Sequence, residues 1–232
     1  MKLQGGIYIN QDGISQSTRA MHMQTELMGI HADNVVGFDK VGYQRKEGVV
    51  AAFSEIIGIH ALSKATDDKA GRIFITDNPL DFAIADKGYF QIMDQGGVVK
   101  LTRDGRFKLN KEGELLALEG QYVLSQGGGK ITLPFLPEKL EDIRVTDDGK
   151  IGIFNPKTLK LEYVDTISVV SSEGRVVLEP KIAQAHTEAS NVALEQEYLE
   201  MVPVRRTFEA NRQMYMLQNS NLTRAVQELG RA

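Results

Sequence analysis

The sequence predicts a mainly β protein with α-helical termini. The N- and C-terminal helices are expected to pair as a coiled-coil-like domain around a middle antiparallel β domain, either a sandwich or an irregular barrel. Apolar residues recur at helical spacing near both ends, whereas the middle alternates with a period of two and is interrupted by glycine turns. The predicted division is residues 1–40 with 187–232 as the helical domain, 41–72 as an extended connection, and 73–186 as the β domain.

The first helix is predicted over about residues 13–36. Its apolar residues recur every seven positions and polar residues fill the gaps, which is typical of a narrow amphipathic stripe. Gly37 provides a plausible end to the helix. The stripe consists of Ile14, Met21, Met28 and Val35.

The middle segment begins with the sequence NPLDFAIADKGYFQI, in which Leu80, Phe82 and Ile84 alternate with smaller or polar residues. This is the period of a β-strand, and it places Asp81 on the opposite, solvated face. A turn at residues 86–88 leads into a second strand. Further turns are predicted at residues 95–97, 104–105, 112–113, 119–120, 127–129, 148–149 and 173–174.

The last helix is predicted over about residues 190–229, with Ser190 or Asn191 as its N-cap. Pro203 is expected to kink or interrupt it near Leu199, because proline lacks a backbone donor. Apolar side chains follow an alternating four–three spacing that predicts a coiled-coil seam. The seam is Leu194, Tyr198, Met201, Phe208, Tyr215, Leu222, Val226 and Leu229, with Arg205, Arg212 and Asn219 in the same register.

Two long helices with narrow stripes gain most of their stability from packing partners. The sequence therefore predicts that the two terminal stripes pair with each other and leave part of the seam for neighbouring subunits. The polar seam positions would then set the register or select the partner.

The composition argues against several classes of function. The 232 residues carry a formal net charge of −4, which does not favour nucleic acid or an anionic membrane as partner. There is no cysteine, so disulfides, thiolate metal sites and cysteine nucleophiles are excluded. The start of the chain lacks the pattern of a cleaved signal peptide, and no apolar run is long enough to predict membrane insertion.

Catalytic and metal motifs are not apparent. Asp104 and Glu112, each followed by glycine, suggest a calcium loop, but the oxygen ligands required at the following positions are missing. A carboxylate cluster of Asp77, Asp81 and Asp86 is better explained as a solvated strand edge. The histidines are isolated in sequence, so no cofactor, metal or enzymatic activity is expected. They are His22, His31, His60 and His186.

Three segments resemble the bacterial flagellar rod and hook family of axial proteins. NPLDFAIADKGYFQI followed by LTRDGRFKLNKEGELLALEGQYVL is similar to the family's central signature. HADNVVGFDKVGYQR resembles its N-terminal motif through Ala32, Asn34, Gly42, Tyr43 and Arg45. ASNVALEQEYLEMVPVRRTFEANRQMY resembles its C-terminal helix through Ser190, Asn191, Val192, Glu200, Met201, Val202, Arg206, Phe208, Glu209, Ala210 and Asn211.

The chain departs from the family pattern at several positions. Asp33 and Gly37 stand where asparagine is usual, and Lys40 stands where threonine is usual. Asp86-Lys87 replaces a Gly-Asp pair, and Pro203 lies within a helix that is normally continuous.

The resemblance implies a rod subunit of the basal body, closer to the proximal than to the distal rod type. Such a subunit is exported to the periplasm by the flagellar type III apparatus without cleavage, and polymerises with itself and other rod or hook proteins through its paired terminal helices. The expected assembly residues are Ile14, Met21, Met28, Asn34, Val35, Gly42, Tyr43, Leu194, Tyr198, Met201, Phe208, Tyr215, Leu222, Val226 and Leu229.

Two other classes compete with this interpretation. A secreted or surface β domain could be oligomerised by a coiled-coil stalk, but such a stalk needs one continuous helix, whereas seams lie at both termini here. A periplasmic hydrolase on a β scaffold would need a convergent polar cluster, which the sequence does not suggest.

Overall fold

The computed structural model describes residues 4–50, 62–155 and 158–230, and the side chains from residue 13 onward except at positions 50 and 62. The chain forms two compact units. The helical unit comprises residues 1–36, 46–65 and 193–232, and the β unit comprises residues 37–45 and 66–192.

The helical unit contains two long helices, α1 (Gln4–Gly37) and α2 (Leu194–Leu229). Strands β1 (Lys46–Val50) and β2 (Leu62–Thr66) pair as a two-stranded sheet within the segment expected to be an extended connection. Helix α1 ends at the glycine expected to stop it.

The β unit contains thirteen strands among the described residues. They are β3 (Ile73–Ile75), β4 (Phe82–Ile84), β5 (Tyr89–Met93), β6 (Val99–Thr102), β7 (Phe107–Leu109), β8 (Leu115–Ala117), β9 (Tyr122–Val123), β10 (Ile143–Val145), β11 (Lys150–Asn155), β12 (Lys160–Thr166), β13 (Val169–Val170), β14 (Ile182–Gln184) and β15 (His186–Glu188). A short 3-10 turn spans Leu140–Asp142.

All of the strand pairs resolved within the β unit are antiparallel. The largest sheet has the order β13-β5-β9-β8-β7, with β6 on the other edge of β5, and a second sheet has the order β10-β11-β12. Two pairs, β14-β4 and β15-β3, join segments about a hundred residues apart. The predicted fold class is confirmed, and the described strands form no closed barrel.

The core of the β unit is aliphatic and aromatic. Phe107 packs its ring against Phe82 and Phe90, with centroid distances of 5.7 and 5.3 Å. Ile151 and Ile153 of β11 are fully buried in the same cluster. Because the buried side chains come from most of the strands, the apolar core holds the separate sheets together.

Glycines form the expected turns. Gly97, Gly113, Gly120, Gly149 and Gly174 all have positive φ, as turn residues in left-handed conformation require. The β7–β8 hairpin closes at Gly113, where the side-chain oxygen of Asn110 accepts hydrogen bonds from the backbone N–H groups of Glu112 and Glu114. The predicted turn is confirmed there.

The corner at Asp104-Gly105 has a different cause. It joins β6 to β7, which do not pair with each other. The Asp104 carboxylate accepts hydrogen bonds from the backbone N–H and the guanidinium of Arg106. Gly105 lies so close to the backbone of Phe82 that a side chain there would clash. This corner is therefore fixed by packing against β4.

The prediction that Asp81 is solvated is wrong. Asp81 is only 7% exposed, and its carboxylate accepts a hydrogen bond from Asn78 at 2.8 Å. Strand β4 is covered on both faces and pairs with β14. The period of two identified the strand, but it could not show that the second face was also buried.

Arg103 and Glu188 form a buried ion pair in the β unit, with 2.7 Å between Nε and Oε2. The Arg103 guanidinium also donates to the carbonyls of Ile84, Asp86 and Gly88. The other oxygen of Glu188 accepts from Gln44 and from the backbone of Gly71. Because both charges have several hydrogen-bond partners, this pair connects five segments of the unit, around residues 44, 71, 84–88, 103 and 188.

Candidate assembly surface

Helices α1 and α2 run antiparallel within the helical unit. Gly13 near the start of α1 lies against the side chain of Gln218 near the end of α2. At the other end, His31 Nδ1 lies 2.7 Å from Glu197 Oε2. The terminal segments of the chain therefore contact each other along about five turns of helix.

On α2, the residues shielded by this pairing follow the heptad spacing, but with a different second position from the one expected. Apart from the half-buried Glu200, the least exposed residues are Leu194, Glu197, Met201, Val204, Phe208, Asn211, Tyr215, Gln218 and Leu222. Leu194, Met201, Phe208, Tyr215 and Leu222 were expected. The alternate positions are shifted by one residue, so Tyr198, Arg205, Arg212 and Asn219 are exposed instead.

On α1, the four expected stripe residues Ile14, Met21, Met28 and Val35 are half-buried. The more deeply buried side chains are their neighbours, and most of these are polar: Ser17, Gln24, Ile30, His31 and Asn34. The Oε1 atoms of Gln24 and Gln218 are buried without a donor among the described residues. The most deeply buried positions of the intramolecular helix seam are thus largely polar, with half-buried apolar residues beside them, and polar seam positions specify register at a cost in stability.

Glu197 is the centre of this polar seam. Its residue is fully buried, and Oε2 faces His31 Nδ1 at 2.7 Å and accepts from Asn34 Nδ2 at 3.1 Å. Asn34 also bonds the backbone of Lys46 in both directions. The network connects α1, β1 and α2. In the sequence His31 has no partner at ligand spacing, and no pattern marked Glu197 as buried, although it lies one helical turn after Leu194.

Several apolar side chains on the side of α2 away from the shielded residues are exposed. Leu199 and Leu217 are 74% and 58% exposed in the single chain. We call this set the outer apolar face of α2; it comprises Tyr198, Leu199, Val202, Met214, Met216 and Leu217. Large apolar surfaces of this kind are typical of interaction sites. Tyr198 is among the expected assembly residues; Val226 and Leu229, also expected, are exposed but continue the register of the shielded residues beyond Leu222.

Helix α2 is continuous through Pro203, so the expected interruption is not observed. Thr207 donates its hydroxyl to the Pro203 carbonyl at 2.8 Å. The predicted N-cap is wrong, because α2 begins after Ala193 with no side-chain cap. Asn191 instead bonds Arg45 N and the carbonyls of Asp67 and Lys69 within the β unit.

The loop after α1 explains two residues of the N-terminal motif. Gly42 has φ +67°, and a side chain there would clash with the backbone of Arg103 and Asp104. The Tyr43 ring lies directly over Gly37, which leaves no space for a side chain at that position. Gly42 and Tyr43 therefore serve the packing of the β unit, and their expected role in subunit contacts remains a prediction.

Among the groups with shifted pKa values are two aspartates in turns and a tyrosine that is hydrogen-bonded to an aspartate. The backbone N–H of Val98 lowers the pKa of Asp94, and Lys150 lowers the pKa of Asp148. Burial raises the pKa of Tyr89 well above its usual range, and the hydrogen bond to Asp68 adds to this effect. These groups stabilise loops, and no convergent catalytic set is found among the described side chains.

Neither α1 nor α2, within the described residues, contains a stretch long and apolar enough to cross a membrane.

Comparisons with known proteins agree on one family. Residues 83–153 match the family described as flagellar hook protein FlgE/F/G D1 domain. The flagellar basal-body rod protein FlgF of Mesorhizobium japonicum is 31% identical, over 95% of this chain and 98% of its own length. The FlgF protein of Caulobacter vibrioides is 28% identical, over 92% of this chain and 96% of its own length.

Similarity also extends to a second rod protein. The flagellar basal-body rod protein FlgG of Bacillus subtilis is 30% identical, over 59% of this chain and 60% of its own length. The FlgF relatives therefore match both terminal helices and the β unit, whereas this FlgG relative matches a smaller part.

Proposed function

The chain belongs to the flagellar basal-body rod protein family, and we propose that it is a structural subunit of the bacterial flagellar basal-body rod. The observation that carries this proposal is the alignment with the Mesorhizobium japonicum rod protein over nearly the whole of both chains. An alignment of that extent includes the terminal helices as well as the β unit.

We further propose that the subunit polymerises through its helical unit. The intramolecular seam buries polar groups such as Gln24, His31 and Glu197, while the outer apolar face of α2 is exposed. Covering this face with helices of neighbouring subunits would remove apolar surface from water, which favours association. A repeated interface between different surfaces of one subunit type makes a filament.

The other parts of the assignment follow from the rod role. We propose export to the periplasm by the flagellar type III apparatus, location in the basal body, and contacts with other rod and hook proteins. The role is structural rather than catalytic, because the described polar clusters serve turns, helix pairing and the buried Arg103–Glu188 pair.

Leu217→Glu tests the assembly role of the outer apolar face. The substitution places a charge on the exposed side of α2 and should leave the folded monomer intact, since Leu217 is 58% exposed. A neighbouring subunit packed there would have to bury the new charge, which is unfavourable. We expect a strain carrying only this variant to lose motility and to lack hooks.

Gln126→Glu is the matched control, because it adds the same charge to an exposed polar position in a turn of the β unit, outside the proposed interface. This strain should swim normally. Normal hooks and motility in the Leu217→Glu strain would contradict assembly through this face. Normal filaments in a strain lacking the whole gene would contradict the rod function itself.

A further inference from the structure

We propose that His31, Glu197 and Glu200 form a binding site for a divalent first-row metal ion, with Zn²⁺ as the best match. One potential ligand atom from each residue lies within 4.8 Å of the other two. His31 belongs to α1 and the two glutamates to α2, so the ion would connect the two ends of the chain. The proposal concerns only the helical unit and does not depend on the rod function.

The types of ligand favour zinc over calcium or magnesium. One imidazole nitrogen and two carboxylate oxygens form a mixed set of the kind that zinc binds with three protein ligands and one water. Calcium and magnesium prefer oxygen ligands alone.

The distances require only a small adjustment. Two ligands of a tetrahedral zinc ion, each about 2.1 Å from the metal, lie roughly 3.4 Å apart. His31 Nδ1 and Glu197 Oε2 are now 2.7 Å apart, in a direct hydrogen bond. The ion would replace this bond after the two side chains separate by less than the width of an atom. Glu200, which is half-buried, lies on the more open side of the cluster.

Neighbouring groups hold both carboxylates in place. Asn34 Nδ2 donates to Glu197 Oε2 at 3.1 Å, and Asn34 is itself anchored to the Lys46 backbone at 2.8 and 2.9 Å. Gln196 Nε2 donates to Glu200 Oε1 at 2.8 Å. Hydrogen bonds of this kind orient metal ligands and strengthen binding.

The test uses the full-length protein, treated with a chelator and then titrated with ZnCl₂ near pH 7 in a calorimeter. We expect one saturable Zn²⁺ site per chain, a higher melting temperature with zinc, and much weaker binding of Mg²⁺ and Ca²⁺. His31→Gln and Glu200→Gln should each weaken zinc binding by at least about tenfold. Glu197 is left intact because its burial makes substitution disruptive.

The matched control is His22→Gln. His22 lies on the same helix and pairs with Glu26 at 3.4 Å, but both side chains are exposed. Its substitution should leave zinc affinity unchanged. Folding of every variant is checked by circular dichroism without metal. The proposal is overturned if the wild-type chain binds no zinc, if Glu200→Gln binds like the wild type, or if His22→Gln loses as much affinity as His31→Gln.

Discussion

The two units of this protein differ in the residues that they bury most deeply. The β unit encloses phenylalanine and isoleucine side chains from most of its strands, together with the Arg103–Glu188 ion pair. The most deeply buried residues of the helical unit include Gln24, His31, Asn34 and Glu197, while several of its leucine and methionine side chains are exposed. The β unit therefore keeps its large apolar side chains inside, whereas the helical unit leaves many of its own exposed in the single chain.

Among the substitutions that test this difference between the units, Phe107→Ala should cause the largest loss of stability. Phe107 is 2% exposed and touches two other aromatic rings, so its removal leaves a cavity. We expect the free energy of unfolding of the β unit to fall by about 3–5 kcal/mol. Urea unfolding followed by circular dichroism measures the change. Leu118→Ala, at an exposed position in the turn after β8, should cost far less, and equal losses would contradict the assigned core.

Glu188→Gln should have the next largest effect, because it leaves the buried Arg103 without its charge partner. The side chain keeps its size, but the ion pair at 2.7 Å is lost. We expect a loss of about 3 kcal/mol in the free energy of unfolding. Glu173→Gln is the control, since the exposed Glu173–Arg175 pair should contribute less than about 1 kcal/mol. A loss no greater than that of the control would show that Arg103 does not need this partner.

Tyr89→Phe tests a smaller contribution together with its pH dependence. The hydroxyl donates to Asp68 at 2.8 Å, and its removal should cost about 1 kcal/mol near neutral pH. The folded-state pKa of Tyr89 lies above the unfolded value of about 10, so this stability is fully present below pH 10 and is lost as the pH rises further.

Unfolding curves between pH 7 and 11 should therefore show a shallower alkaline decline in Tyr89→Phe than in the wild type. Tyr163→Phe, at an exposed position of β12, should follow the wild-type curve. Parallel declines for wild type and Tyr89→Phe would rule out Tyr89 as a source of alkaline sensitivity.

Leu199→Ala should have the smallest effect on the isolated chain. The side chain is 74% exposed, and alanine is a good helix former, so the free energy of unfolding should change by less than about 0.5 kcal/mol. Thermal unfolding of the monomer measures this. A loss above about 2 kcal/mol would mean that Leu199 is packed inside the helical unit, and the contrast between the units would fail.

Local patterns predicted much of the β unit. Glycines that need a left-handed conformation marked the turns at Gly113, Gly120 and Gly149, because few other residues adopt that geometry without strain. Strand pairing was not predictable in the same way. Ile84 pairs with Ile182, and no local pattern specifies which of many short strands meet across such a separation.

The shielded side of α2 was also only partly predictable from the sequence. The heptad predicted that Leu194, Met201 and Phe208 share one face of α2, and these residues are half-buried in the same register as Glu197 and Gln218, which do contact α1. At the alternate position, apolarity favoured Tyr198 over Glu197, and this choice was wrong for the intramolecular seam. Glu197 is buried because His31 and Asn34 of α1 lie opposite to it.

The sequence by itself determined the helical termini, the antiparallel middle and the turns, since these depend on the period of apolar residues and on backbone conformations that only a few residue types adopt. Only the tertiary structure decided which polar groups are buried. The burial of Glu188 and Glu197 depends on hydrogen-bond partners from distant segments, and these partners offset the cost of removing each carboxylate from water.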